Sequence, residues 1–171
     1  MKKMTLALAI VLAGSVAGAG IGPSVTIGAP RASAATIQTV SGAAIVQSAL
    51  KYVGYRYSPN GTKPKTGFSP IGFVSYVYRQ NGIRLPRDLQ KSLDYAPQVP
   101  MAELRTGDLV FFKNTIWAGL SHVGIYVGNG TFVHAEYYGY GVTVTAFTND
   151  ARDGSYWSTH YLAANRPVPG V

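Results

Sequence analysis

Ser121-His122-Val123-Gly124-Ile125-Tyr126-Val127-Gly128-Asn129-Gly130-Thr131-Phe132-Val133-His134-Ala135-Glu136 is the stretch on which the fold of this chain turns. Two short runs rich in β-branched and aromatic residues, Ser121 to Val127 and Thr131 to Glu136, flank Gly128-Asn129-Gly130. Asn and Gly adopt positive φ at little cost, so the connection reads as a tight β-hairpin turn. Strands paired across it carry His122 and His134 on neighbours, within reach of a mutual hydrogen bond.

Outward from the hairpin the chain divides into two halves. On the C-terminal side, and just before it, Asp108 to Lys113, Val142 to Phe147 and Tyr161 to Asn165 repeat the strand pattern, with Gly-containing turns between. On the N-terminal side the apolar period is helical. Ser41 to Tyr52 places Ile45, Val46, Ala49, Leu50 and Val53 at helical spacing, with Ser41 as N-cap and Gly54 as stop. Gly54 to Gly67 is rich in Tyr, Pro, Gly, Asn and Lys and reads as a long functional loop. A second helix starts at Ser69-Pro70: Ser suits the N-cap, and Pro suits the first helical position, where its missing N–H would have no intrahelical partner. Phe73, Val74, Val77 and Tyr78 form its apolar stripe, and Gly82 ends it. Asp88 caps a short third helix ending near Tyr95, and Pro97 and Pro100 prevent its continuation. Helices first and strands second define an α+β domain, with N-terminal helices packed on an antiparallel β-sheet.

The ends and the composition bound the setting. Lys2 and Lys3 precede an almost uncharged apolar run from Thr5 to Gly20, shorter than the roughly 20 residues of a bilayer-spanning helix and followed by Ala32-Ser33-Ala34. Residues 1–34 are read as a signal peptide cleaved after Ala34, with a retained anchor as the alternative. Residues 35–40 then form a short tether and residues 41–171 one domain. Of fifteen Lys and Arg, three lie in the leader, which leaves twelve against seven acids, a net charge of +5. That balance favours anionic envelope polymers through long-range steering. No basic cluster accompanies a nucleic-acid-binding motif, no later stretch spans a membrane, and no group of His or acids shows metal-ligand spacing. The chain has no cysteine, so neither a disulfide nor a thiol is available. His160 lies outside any motif and is assigned to surface or packing.

Motif by motif the chain resembles the NlpC-type cell-wall endopeptidases, papain-like cysteine peptidases of peptidoglycan. Gly67-Phe68-Ser69-Pro70-Ile71-Gly72-Phe73-Val74 is similar to the start of that family's catalytic helix, where the family has Gly-Phe-Asp-Cys-Ser-Gly-Phe-Val. Gly82-Ile83-Arg84-Leu85-Pro86-Arg87, Thr106-Gly107-Asp108-Leu109-Val110-Phe111-Phe112 and the hairpin follow in family order, so the resemblance covers nearly all of residues 41–166. It implies a papain-like NlpC-type fold. His122 then stands where the family has its general base and His134 where it has the residue orienting that base. Tyr57 is similar to a Tyr lining the substrate groove, and Arg87 and Ser121 belong to motifs bordering it.

At Ser69-Pro70-Ile71 the chain departs from the pattern. The attacking group in this chemistry is a thiolate activated by an imidazole and by a helix N-terminus. Pro70, at the Cys position, offers no nucleophile. It also lacks the N–H that in the family contributes to the oxyanion hole, and loss of such a donor costs about 10²–10³ in rate. Ser69 replaces an acid that holds the substrate's amino group, Ile71 replaces a small hydroxyl residue, and Leu89 and Ser92 replace the family's Ser and Gln after Leu-Pro-Arg. The resemblance thus implies a secreted or wall-associated domain without cofactor or metal, catalytically inactive, binding peptidoglycan peptide or another anionic envelope polymer. Two other readings stay open: a hydrolase using Ser69 or Ser121 as nucleophile with His122, and an interaction partner of an active wall hydrolase, for which the twelve Tyr would supply aromatic surface.

Overall fold

A computed structural model describes residues 40–137, 139–148 and 154–168; the leader read in residues 1–34, and the tether except Val40, lie outside the described residues. Helix α1 (Gly42–Leu50) begins at Ser41, whose Oγ accepts from the Ala44 N–H at 3.2 Å. Ile45 and Ala49 are its buried face, whereas Leu50 and Val53, expected on the same stripe, are 43% and 47% exposed. The helix is nine residues long and ends at Leu50, so the stripe does not persist into the turns that follow. The expected loop after it contains a two-residue ladder, β1 (Thr62–Lys63) against β2 (Gly67–Phe68).

Helix α2 (Pro70–Gln80) follows directly, and α3 (Leu89–Leu93) is capped by Asp88, which accepts from the Lys91 N–H at 2.9 Å. After a 3-10 turn at Met101–Glu103 come β3 (Leu109–Lys113), β4 (Leu120–Gly128), β5 (Thr131–Glu136), β6 (Gly141–Ala146), helix α4 (Tyr156–His160) and β7 (Tyr161–Asn165). The last five strands form one antiparallel sheet in the order β6-β5-β4-β3-β7. The domain is α+β, as expected. Helix α4 has no counterpart in the sequence reading.

Both faces of the sheet are covered, and the two-residue period of the strands sorts the side chains. Leu109, Phe111, Val123, Ile125 and Val133 face a core completed by Ile45 of α1 and Phe73, Val74 and Val77 of α2. Val110, Phe112, Phe132 and Ala164 point to the other side, where Phe147 and Trp157 close a second core. Double coverage explains why β3 reads as an unbroken apolar run. Tyr78 ties α2 to the sheet by donating its hydroxyl to the Gly107 carbonyl. Among the described residues no helix is long and apolar enough to cross a membrane.

Candidate functional site

The site is built on the β4–β5 hairpin. Asn129 and Gly130 take φ of 51° and 69°, the backbone of a two-residue turn matched to strand twist. Pairing of Ile125 with Val133 and Tyr126 with Phe132 sets the register. His122 Nε2 and His134 Nδ1 lie 2.8 Å apart, and both side chains are buried, His122 being 2% exposed. On its far side His134 Nε2 stands 2.9 Å from Thr145 Oγ1 on β6 and 3.7 Å from Glu136 Oε2.

This network bears on where the protons sit. An ionised Glu136 only accepts, and Thr145 can accept, so the arrangement favours a proton on His134 Nε2. With that tautomer His134 Nδ1 accepts the His122 Nε2 proton. A histidine held this way by an orienting partner has the chemistry of a general base.

Trp157 of α4 covers the pair, its ring 5.1 Å from His122 and 4.8 Å from His134, with Phe112 and Phe132 on its other contacts. Its buried Nε1 has no hydrogen-bond partner among the described residues. Trp157, His122 and Glu136, with Thr115, Ile116, Tyr137 and Tyr156, line a crevice of about 10 Å³, the space of a single water.

The turn at the start of α2 is fully committed to structure. Ser69 Oγ accepts from the Gly72 N–H at 3.1 Å and donates to the Gly61 carbonyl at 3.2 Å. A Cβ on Gly72 would come within 2.0 Å of Gly61 O, so this close approach requires glycine. Pro70 occupies the first turn of α2 and is buried, and Ile71 is half-buried against the core under α2. Ile71 does not line the His122 crevice; the loop at Thr115 and Ile116, Tyr137 and α4 do.

Ser121 is buried, and its Oγ accepts from the Thr115 N–H at 3.0 Å and lies 2.8 Å from Thr115 Oγ1. It pins the β3–β4 connection, on the strand face opposite to His122. Tyr57 packs its ring edge-on against Tyr137, 5.3 Å away, which brings it to the rim of the crevice, and burial raises its hydroxyl pKa. Arg87 is exposed and lines a different cavity, with Arg79 and Arg84. His160 stacks on Tyr156 at 4.3 Å and belongs to α4 packing.

Sequence reasoning missed Thr145, Glu136, Tyr137 and Trp157. Glu136 was within reach, because it lies two residues beyond His134 and so shares its strand face. Trp157 sits in a helix of five residues, too short to show a period.

Three kinds of comparison agree with this architecture. Residues 54–166 match the family model described as NlpC/P60 family. The murein DD-endopeptidase MepH of Escherichia coli is 36% identical over 121 residues, covering 68% of this chain and 42% of that protein. The gamma-DL-glutamyl hydrolase of Bacillus subtilis is 36% identical over 123 residues, covering 71% of this chain and 28% of its own length. The chain therefore spans less than half of either relative. Among solved structures, the NlpC/p60 domain of the peptidoglycan hydrolase SagA superposes with a TM-score of 0.60 at 31% identity, covering 74% of this chain and 98% of that one. A Bacillus cereus NlpC/P60 family protein gives 0.68 at 26% identity, covering 78% of this chain and 42% of that one.

Proposed function

Starting from a chain that belongs to the NlpC/P60 family of cell-wall endopeptidases, we propose that this domain is exported, does not cleave, and binds peptidoglycan peptide at the groove rim formed by Tyr57 and Tyr137. The observation that carries the reading is Pro70 in the first turn of α2, at the position where the family's nucleophile is expected. A residue with neither thiol nor N–H supplies no attacking atom and no oxyanion donor there. The His122–His134 pair stays ordered without it. Export rests on the leader read in residues 1–34.

The hydrogen bonds of both serines speak against a substitute nucleophile. Ser69 Oγ is used twice, by Gly72 and Gly61. Ser121 Oγ is held by Thr115. Neither hydroxyl is bonded to a histidine by these contacts, whereas nucleophilic serine needs its base as hydrogen-bond partner.

Co-sedimentation of the purified chain with purified peptidoglycan tests the binding half. Retention that falls at least about fivefold in Tyr57→Ala supports it. Retention unaffected by both Tyr57→Ala and His122→Ala contradicts binding at the rim.

A further inference from the structure

Away from the histidines, Arg79 at the end of α2 and Arg84 and Arg87 on the loop before α3 line one cavity of about 270 Å³, completed by Ser75, Tyr76 and Leu85. All three arginines are exposed and none forms an ion pair with a described residue. The nearest acid in sequence, Asp88, is turned to the Lys91 N–H as the α3 cap. Arg166 shows the alternative fate of an arginine here: Asp108 holds its guanidinium at 2.8 and 2.9 Å. Three uncompensated guanidiniums around one concavity repel each other at every physiological pH, because arginine does not deprotonate.

The walls are fixed by contacts that do not involve the charges. The Pro86 carbonyl, adjacent to Arg87, accepts from Ser92 Oγ at 2.9 Å and Ser75 Oγ at 3.3 Å, which anchors the loop to α2 and α3. Tyr76 lies under Arg79, 5.6 Å from ring centre to guanidinium carbon, and its hydroxyl is 3.4 Å from that of Tyr52. A positive concavity with preset walls loses little freedom on binding an anion.

We infer that the Arg79–Arg84–Arg87 cavity binds a phosphate group. A single carboxylate would neutralise one of three charges. A phosphate monoester dianion neutralises two of them, neighbouring phosphodiesters of one polymer one each, and both offer several oxygens to guanidinium forks. The source is a free phosphate ester or a phosphodiester-linked envelope polymer, and the site is independent of the peptide groove.

Isothermal titration of the full chain with inorganic phosphate and with poly(glycerol phosphate) decides. Saturable binding of either probe, weakened about tenfold by Arg84→Gln or Arg79→Gln but not by Lys63→Gln/Lys65→Gln, is the expected result. Binding of inorganic phosphate assigns the site to an isolated phosphate group, and binding of the polymer alone assigns it to successive phosphodiesters. Arg84→Lys keeps the charge and loses the fork, and is expected to weaken binding severalfold. No binding of either probe, equal losses in the lysine and arginine variants, or equal affinity for poly-glutamate would overturn the inference. Tyr57→Ala leaves phosphate binding unchanged, which separates this result from that of the groove.

Discussion

Pro70 and Ser69 serve the helix they open, and on the proposed reading the same two residues leave its first turn without a nucleophile. Ser69 opens α2 with a side-chain cap to the Gly72 N–H, and Pro70 presets the first turn. Ser69→Ala removes the cap and one partner of the Gly61 carbonyl, and is expected to lower stability by about 1 kcal/mol in urea unfolding. Trp157 carries the opposite kind of weight. It packs on His122, His134, Phe112 and Phe132, so Trp157→Ala opens a cavity across the second core and is expected to cost about 3–5 kcal/mol. A urea midpoint close to that of the unaltered chain would show that the indole is not what closes this face. Both residues were visible in the sequence, but only Ser69 stood in a local pattern that tells its role.

Elements differ in how plainly the chain announces them. The hairpin around Asn129-Gly130 was legible because its turn chemistry is local, and with it came the adjacency of His122 and His134. Gly130→Ala forces a side chain into positive φ and is expected to destabilise by about 1 kcal/mol, measurable as a lower thermal midpoint. The caps at Ser41, Ser69 and Asp88 were legible for the same local reason. The β1–β2 ladder and α4 were not, since two and five residues carry no period and are held by the surfaces they meet. What covers the histidines was therefore not readable, although the histidines themselves were. Leu50 and Val53 err in the other direction: their spacing fits α1, but Leu50 is its last residue and Val53 lies beyond it, and both are exposed.

At the scale of the whole molecule α2 is joined to the residues before β3 by the buried, titratable hydroxyl of Tyr78, and β7 carries a second shifted tyrosine, Tyr161. Burial, and next the nearby Asp108 carboxylate, raises the hydroxyl pKa of Tyr78 well above 10.0 and that of Tyr161 to about 12. The folded chain holds these protons more tightly than the unfolded one. Their stabilisation is thus fully present below pH 10 and lost as the pH rises through the folded values. Urea midpoints are expected to fall from pH 10 toward 12, and to fall less steeply in Tyr78→Phe, which also forfeits about 1 kcal/mol at neutral pH with its bond to Gly107. On the proposed reading the fold keeps what packing and backbone bonding demand, while the turn at Ser69-Pro70-Ile71 is released from catalysis. That claim meets its most direct test when the purified chain is incubated with muropeptides and the products are weighed by mass spectrometry. The account predicts intact peptides with no new amine terminus; a new terminus that disappears in His122→Ala would contradict it.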